Sequence, residues 1–203
     1  YRLQGSKLWT SLAHASHYIL VLCRTSDGTA RHDGLSQIIV DLSSPGVIVR
    51  PILNLLGEHE FNEVFFDDVF VPNDHVIAEP GRGLAAALRS LTLGRIGVGA
   101  MGVGMGQCAF DHAVAHLRRR SAFGSKLGAF QHWQFRFAEH AIALESARSL
   151  YQKAARKSDI TGSPEPEGAM AKVTGSRVAV DVARDAIQVH GGYGFVRRLT
   201  AEE

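Results

Sequence analysis

Arg118-Arg119-Arg120-Ser121-Ala122-Phe123-Gly124-Ser125-Lys126-Leu127-Gly128-Ala129-Phe130-Gln131 is the stretch on which the reading of this chain turns. A long apolar-periodic segment runs into it and another runs out of it, so it reads as a helix–loop–helix joint, with Gly124 and Gly128 breaking the backbone. Such a joint can hold an anion. Arg120 offers a planar fork of donors for phosphate oxygens, Phe123 a flat face for a heteroaromatic ring, and Gln131 amide hydrogen bonds from the start of the next helix. Together these suit a nucleotide. The plainer alternative is that three arginines ending a helix complement its dipole while Phe123 fills the core.

Upstream of the joint, apolar residues recur at helical spacing from Leu84 to about Arg119: Leu84, Leu88, Leu91, Ile96, Val103, Phe110, Val114 and Leu117. Gly94, Gly97, Gly99, Gly102, Gly104 and Gly106 interrupt them. Each costs up to ~1 kcal/mol relative to alanine in a helix, so close approach of a neighbouring backbone or a ligand is expected to compensate. Downstream, a helix is expected from about Phe130 to Lys157, broken by Gly162-Ser163-Pro164-Glu165-Pro166, and a third from about Glu167 to Val189, rich in Ala, Val, Ser and Gly. Three long amphipathic helices with short connections predict an antiparallel bundle, completed by a fourth helix beyond Glu203.

Before residue 80 the signals are those of strands. Tyr18–Cys23, Gln37–Leu42 and Val47–Ile52 are short β-branched runs, and Asn62–Val71 forms one or two strands closed by Pro72-Asn73-Asp74. Turn residues between them suggest part of an antiparallel barrel or sandwich. Tyr1-Arg2-Leu3-Gln4-Gly5 reads as mid-strand and Ala201-Glu202-Glu203 as the first turn of another helix, so both ends read as cut, and the fragment alone is expected to be inactive.

The formal charge of +2, from 22 basic and 20 acidic residues mostly interspersed, argues against a nucleic-acid surface. Cys23 and Cys108 give no disulfide framework or zinc spacing and suit a reducing, intracellular setting. No apolar run approaches the ~20 residues of a membrane span, and no signal peptide is visible. His112 and His116 share a helix face without a third ligand in view, so zinc is not expected. Asp67 and Asp68, adjacent on a strand, are expected to point to opposite faces and to be structural.

Further stretches invite a ligand. In Gln188-Val189-His190-Gly191-Gly192-Tyr193-Gly194 a helix ends in a diglycine turn that can open backbone amides to a ligand, or can simply be a C-cap. In Gly5-Ser6-Lys7-Leu8-Trp9-Thr10-Ser11 an indole and two hydroxyls follow at strand spacing, with Trp9 and Ser11 expected on one face; the alternative is a core tryptophan beside a turn.

These fragments, in this order, resemble the acyl-CoA dehydrogenase family over nearly the whole chain. Gly5–Ser11 is similar to its G-x-K-x-W-I-T stretch, and Phe66-Asp67-Asp68-Val69-Phe70-Val71-Pro72 to F-(D/E)-(D/N)-V-x-V-P, followed by G-x-G at Gly81 and Gly83. Arg120-Ser121-Ala122-Phe123-Gly124 with Gln131 resembles R-x-x-F-G and its later Q, and Gln188–Gly194 resembles Q-x-x-G-G-x-G. The resemblance implies a FAD-dependent flavoprotein. Residues 1–80 would be the C-terminal part of its middle β domain, and 81–203 an incomplete C-terminal up-down four-helix bundle. It further implies that Trp9, Thr10 and Ser11 lie at the flavin ring, Thr10 standing where relatives usually carry Ile. Arg120, Phe123, Gln131, Gln188, Gly191 and Gly192 would grip the pyrophosphate and adenosine end of a FAD bound mainly by the neighbouring subunit. Arg95 would lie near the acyl-CoA channel, or serve as a structural ion-pair partner.

The activity so implied is α,β-dehydrogenation of an acyl-CoA thioester, with electron-transfer flavoprotein as acceptor. The setting would be the bacterial cytoplasm, or the mitochondrial matrix in a eukaryote. A flavin-dependent monooxygenase on the same fold and a non-catalytic partner subunit are the alternatives. The base is not within these residues. Gly94 occupies the position that one branch of the family gives to the proton-abstracting glutamate. The other branch's position would fall about 25–30 residues after Gly194, beyond Glu203, anchored on the expected helix start.

Overall fold

The computed structural model describes residues 1–26 and 32–196, so the helix start expected at Ala201-Glu202-Glu203 lies outside the described residues. Two compact units divide the chain, Tyr1–Arg89 and Ser90–Glu203.

The strands of the first unit are β1 (Arg2–Ser11), β2 (Tyr18–Arg24), β3 (Leu35–Asp41), β4 (Val47–Leu53), β5 (His59–Phe70) and the short β6 (Val76–Ile77), with β2, β3 and β4 on the β-branched runs. They make two antiparallel three-stranded sheets, ordered β1-β5-β4 and β2-β3-β6. Leu3, Val64, Phe66 and Val69 of the first sheet meet Val21, Ile38 and Val40 of the second in one core. Each such side chain contributes about 1.5–3 kcal/mol by leaving water. The unit is therefore a sandwich. A closed barrel, the other form the strand pattern allowed, would need the outer strands of the two sheets to pair, and among the described residues they do not.

Strict alternation fails at two places in the first sheet. The register between β1 and β5 shifts between Leu3 and Gly5, and Asp68 takes φ 51°, so that Asp67 and Asp68 are both exposed rather than on opposite faces. Asp68 then pairs with Arg2 at 3.0 Å, a structural role as expected. The second shift falls between Lys7 and Thr10, at Trp9.

The glycines of Gly81-Arg82-Gly83 stitch the chain to β3 before the first helix. Gly81 donates its amide to the buried Ser36 hydroxyl at 2.8 Å, and a Cβ on Gly83 would lie 2.3 Å from the Gln37 amide nitrogen. Only glycine fits there.

The helices are α1 (Gly83–Arg119), α2 (Gln131–Thr161) and α3 (Glu167–His190), each within a few residues of its expected bounds. In the second unit Val103 of α1, Leu144 and Ala147 of α2, and Val178 and Val182 of α3 form one core layer. Ala113, Leu117, Phe137, Ala186 and Val189 form the next. Residue numbers rise together along α1 and α3 and fall along α2, so the helices run up, down, up. Gly99, Gly102 and Gly106 lie against α3, where added Cβ atoms would meet Ala171 O at 2.7 Å, Gly175 O at 2.6 Å and Ala179 Cα at 3.4 Å. This is the compensation expected for the helix glycines. At Gly94, Gly97 and Gly104 it is not seen, since an added Cβ meets nothing within 4 Å among the described residues.

Asp185 of α3 ties α3 to α2, accepting from the buried His140 at 2.6 Å and from Arg136. Burial alone would raise the Asp185 carboxyl; the bonds from His140 and Arg136 outweigh it and hold the group below its ordinary range.

Candidate dinucleotide site and an exposed tryptophan bend

The joint between α1 and α2 folds as a two-residue hairpin. Ser121–Ala122 (β7) pairs with Ser125–Lys126 (β8), and the connecting Phe123 and Gly124 take φ 53° and 79°. Positive φ at both central positions is the type I′ geometry that matches strand twist, with a bulky residue at the first of them where Asn or Gly is usual. Lys126 Nζ donates to Arg119 O at 2.8 Å, and the Leu127 amide to Arg120 O at 2.9 Å, which pins the hairpin against the end of α1.

Behind this hairpin lies an open cleft of about 510 Å³ whose lining includes His116, Arg120, Leu127, His190, Gly191 and Gly192. Two stretches far apart in sequence, Arg120 and the diglycine turn, thus meet in one place. Gly191 leaves the helix at φ 59°, and added Cβ atoms at Gly191 and Gly192 would meet nothing within 4 Å, so the backbone there is open to a ligand. The Arg120 guanidinium has no ion-pair partner among the described residues. A cation beside accessible backbone is a donor set suited to phosphate oxygens.

Phe123, Gln131 and Gln188 do not line this cleft. Phe123 is 95% exposed at the hairpin tip rather than plugging the core, Gln131 is the exposed first residue of α2, and Gln188 is exposed one turn before the diglycine. Their side chains face outward.

His116, weighed in the sequence only with His112 as a zinc ligand, and His190, quoted only within the diglycine motif, form a pair that the sequence reading did not find. Their rings lie 4.3 Å apart, both line the cleft, and His190 Nδ1 donates to Ala186 O at 2.7 Å. His116 sits one helical turn before Arg120, a spacing visible in the sequence, but its partner on α3 is not. Burial, then His190, Arg120 and Arg119, push the His116 imidazole below its ordinary value of 6.5. The unfolded chain therefore takes up a proton first as pH falls, so stability declines from about pH 6.5 downward until the folded His116 is itself protonated. We expect the thermal midpoint to drop over that window and His116→Phe to flatten the drop, as read by unfolding scans at stepped pH.

Arg95 pairs with Glu165, whose carboxylate also accepts from Thr92 Oγ1 at 3.3 Å. The pair ties α1 to the α2–α3 connection, the structural-partner reading of this arginine, while leaving its side chain 36% exposed.

In the first unit Trp9 adopts φ 60° where β1 shifts register between Lys7 and Thr10. Plain strand spacing therefore does not carry through Trp9. The outcome is nevertheless a bend with Trp9 and Ser11 exposed and Thr10 half-buried between them. The indole is 63% exposed, with one edge contact to Phe61 at 6.4 Å, so it is not a core tryptophan.

Among the described residues no cluster of His, Cys, Asp and Glu could hold a metal, and no helix is long and apolar enough to cross a membrane.

Residues 81–203 match the sequence profile described as acyl-CoA dehydrogenase, C-terminal domain, and residues 1–69 that described as acyl-CoA dehydrogenase, middle domain. The chain is 35% identical over 202 residues to the short-chain specific acyl-CoA dehydrogenase, mitochondrial, of Bos taurus, covering 98% of this chain and 49% of that protein. Among solved structures it resembles butyryl-CoA dehydrogenase from Megasphaera elsdenii, with TM-score 0.89, 32% identity and coverage of 97% and 51%. A chain of the electron transferring flavoprotein structure from Acidaminococcus fermentans gives TM-score 0.90, 32% identity and coverage of 97% and 52%. PigA with FAD and proline gives TM-score 0.90, 26% identity and coverage of 98% and 52%. The chain spans about half the length of the relatives it matches.

Proposed function

The chain belongs to the acyl-CoA dehydrogenase family, and from that premise we propose that the complete protein removes the α and β hydrogens of a short acyl-CoA thioester in a FAD-dependent reaction. The observation that carries the reading is the meeting of Arg120 with the open Gly191-Gly192 backbone around one cleft. An unpaired guanidinium beside accessible amides fits the anionic end of a dinucleotide, and the exposed Trp9-Thr10-Ser11 bend fits a flat ring that needs a stacking surface and a hydroxyl donor.

FAD, when bound, supplies the acceptor for the β hydrogen as hydride. The residues of this chain do the holding. Arg120, Gly191 and Gly192 bind phosphate. Phe123, Gln131 and Gln188, facing outward, bind the adenosine end of a dinucleotide seated largely on a neighbouring subunit. Trp9 and Ser11 would lie against the ring and shield it from water. Arg95, engaged by Glu165, would lie near the acyl channel. The α proton goes to a glutamate downstream of the Gln188–Gly194 motif, because Gly94 offers no carboxylate. The short-chain and butyryl-CoA names of the relatives support a short acyl substrate, and the electron transferring flavoprotein neighbour supports that class of protein as electron acceptor.

The test is anaerobic titration of the complete, flavin-loaded protein with butyryl-CoA. Bleaching of the oxidised flavin band, with one enoyl-CoA formed per flavin, is the expected result, abolished when the downstream glutamate is changed to Gln. No bleaching with acyl-CoA of any chain length overturns the proposal.

A further inference from the structure

The Trp9 bend is held by a buried amide that neither the resemblance nor the proposed reaction accounts for. From Lys7↔Val64 to Thr10↔Asn62 the chain advances three residues on β1 against two on β5, so β1 carries an extra residue, and Trp9 takes up the strain at φ 60°. Opposite this bulge, Asn62 is 0% exposed. Its Nδ2 donates to Thr10 O at 3.0 Å and to His14 Nδ1 at 3.2 Å, while its Oδ1 accepts from His59 Nε2 at 2.7 Å. The His14 and His59 rings stack with centroids 3.8 Å apart.

We propose that Asn62, held between His14 and His59, is the positioning residue that keeps the Trp9–Ser11 bend in its presenting geometry, and that protonation of His14 releases it. The chemistry allows one arrangement. Thr10 O can only accept, so the amide must turn its NH₂ toward it; the second amide hydrogen then needs an acceptor, and His14 Nδ1 must be without a proton. His59 must carry its proton on Nε2. A proton on His14 Nδ1 sets N–H against N–H, and turning the amide over would set Oδ1 against Thr10 O. Either way the Thr10 carbonyl loses its donor, and with it the bond that offsets the strained φ at Trp9.

The titratable groups sharing the cavity of about 570 Å³ with His14 are His17, Tyr18, Asp41 and His59. The Ser43 hydroxyl and amide hold the Asp41 carboxyl below its ordinary range, so it stays an anion. On β5 Glu60 follows His59, and its carbonyl accepts from the Leu12 amide at 2.8 Å. On β4 Val49 lines the cavity, whereas the Arg50 guanidinium lies over the Phe65 ring at 4.7 Å.

The proposal rests, for its functional half, on the reading that the bend faces the flavin. The chain holds two tryptophans, so in a Trp133→Phe background of the complete protein Trp9 reports alone within these residues, after any tryptophan elsewhere is likewise replaced. Acrylamide quenching of Trp9 in the flavin-free form, followed from pH 8 to pH 5, should change in a one-proton step. His14→Asn keeps an acceptor oxygen near the Nδ1 position that cannot be protonated, and should abolish the step while holding the neutral-form signal. Asn62→Leu should show the acid-form signal at every pH; should it fail to fold, His14→Phe, which offers no acceptor, replaces it with the same expectation. A Trp9 signal flat with pH in the parent, or unchanged when the clamp is cut, overturns the proposal. In the flavin-loaded protein the same step should appear in the flavin absorption band. A step in Trp9 without one in the flavin supports the clamp and overturns the placement of the bend at the ring.

Discussion

Replacing Gly175 by valine should unfold the helical unit's α1–α3 seam at a cost of at least about 3 kcal/mol, the upper end for an overpacked core site. An added Cβ at Gly175 would sit 2.3 Å from Gly99 O and 3.0 Å from Gly99 Cα, and both are backbone atoms of the facing helix that no rotamer change can move. The reciprocal contact, from Gly102 to Gly175 O at 2.6 Å, closes the seam from the other side. Relief therefore requires the helices to separate, which opens the layer of Val103, Leu144, Val178 and Val182 immediately beside it. The measurement is a denaturant midpoint, with Gly97→Ala on the facing helix α1 as the counterpart. An added Cβ at Gly97 meets nothing within 4 Å among the described residues, so helix propensity alone predicts a gain of up to ~1 kcal/mol there. A valine tolerated at 175 would refute the close-contact account of these glycines. A loss at Gly97 would show that a further element covers that face.

Those glycines mark how far the sequence could be read and where it stopped. Their excess in α1 was enough to call for close packing, but which of them face α3 depends on the crossing of two helices distant in sequence. Helix bounds were legible because apolar periodicity and breakers such as Gly162 and Pro164 are local signals. Strands were legible for the same reason, but the bulges at Trp9 and Asp68 were not, because a period of two assumes that no residue is skipped in the pairing. Asn62 read only as one more strand residue. Its role depends on His14 and Thr10, 48 and 52 positions away, brought together by the β1–β5 pairing. In the cleft between the hairpin and the end of α3, Arg120 and the diglycine were recognisable by type. The His116–His190 contact was not, since its two rings come from α1 and α3, helices distant in sequence.

Arg120→Ala in the complete protein should weaken FAD retention by about tenfold to a hundredfold, from the loss of a charge-assisted phosphate contact of roughly 1.5–3 kcal/mol. Arg118 and Arg119 end α1 and Arg120 follows them, yet of the three only Arg120 lines the cleft with Gly191 and Gly192. Arg118 and Arg119 are exposed outside it. Net charge alone would make the three equivalent. Contact geometry instead predicts that Arg118→Ala and Arg119→Ala change the FAD dissociation constant only through screened long-range attraction, by much less than Arg120→Ala, and that raising salt removes that remainder. Arg120→Lys should recover part of the loss, since an ammonium keeps the charge but not the two-pronged geometry. Flavin fluorescence titration of the stripped protein reads all four variants. Equal losses across the three alanine variants would mean that the cleft attracts phosphate by bulk charge. No loss at Arg120 would remove the cleft from the dinucleotide site and leave its open glycine backbone without a ligand.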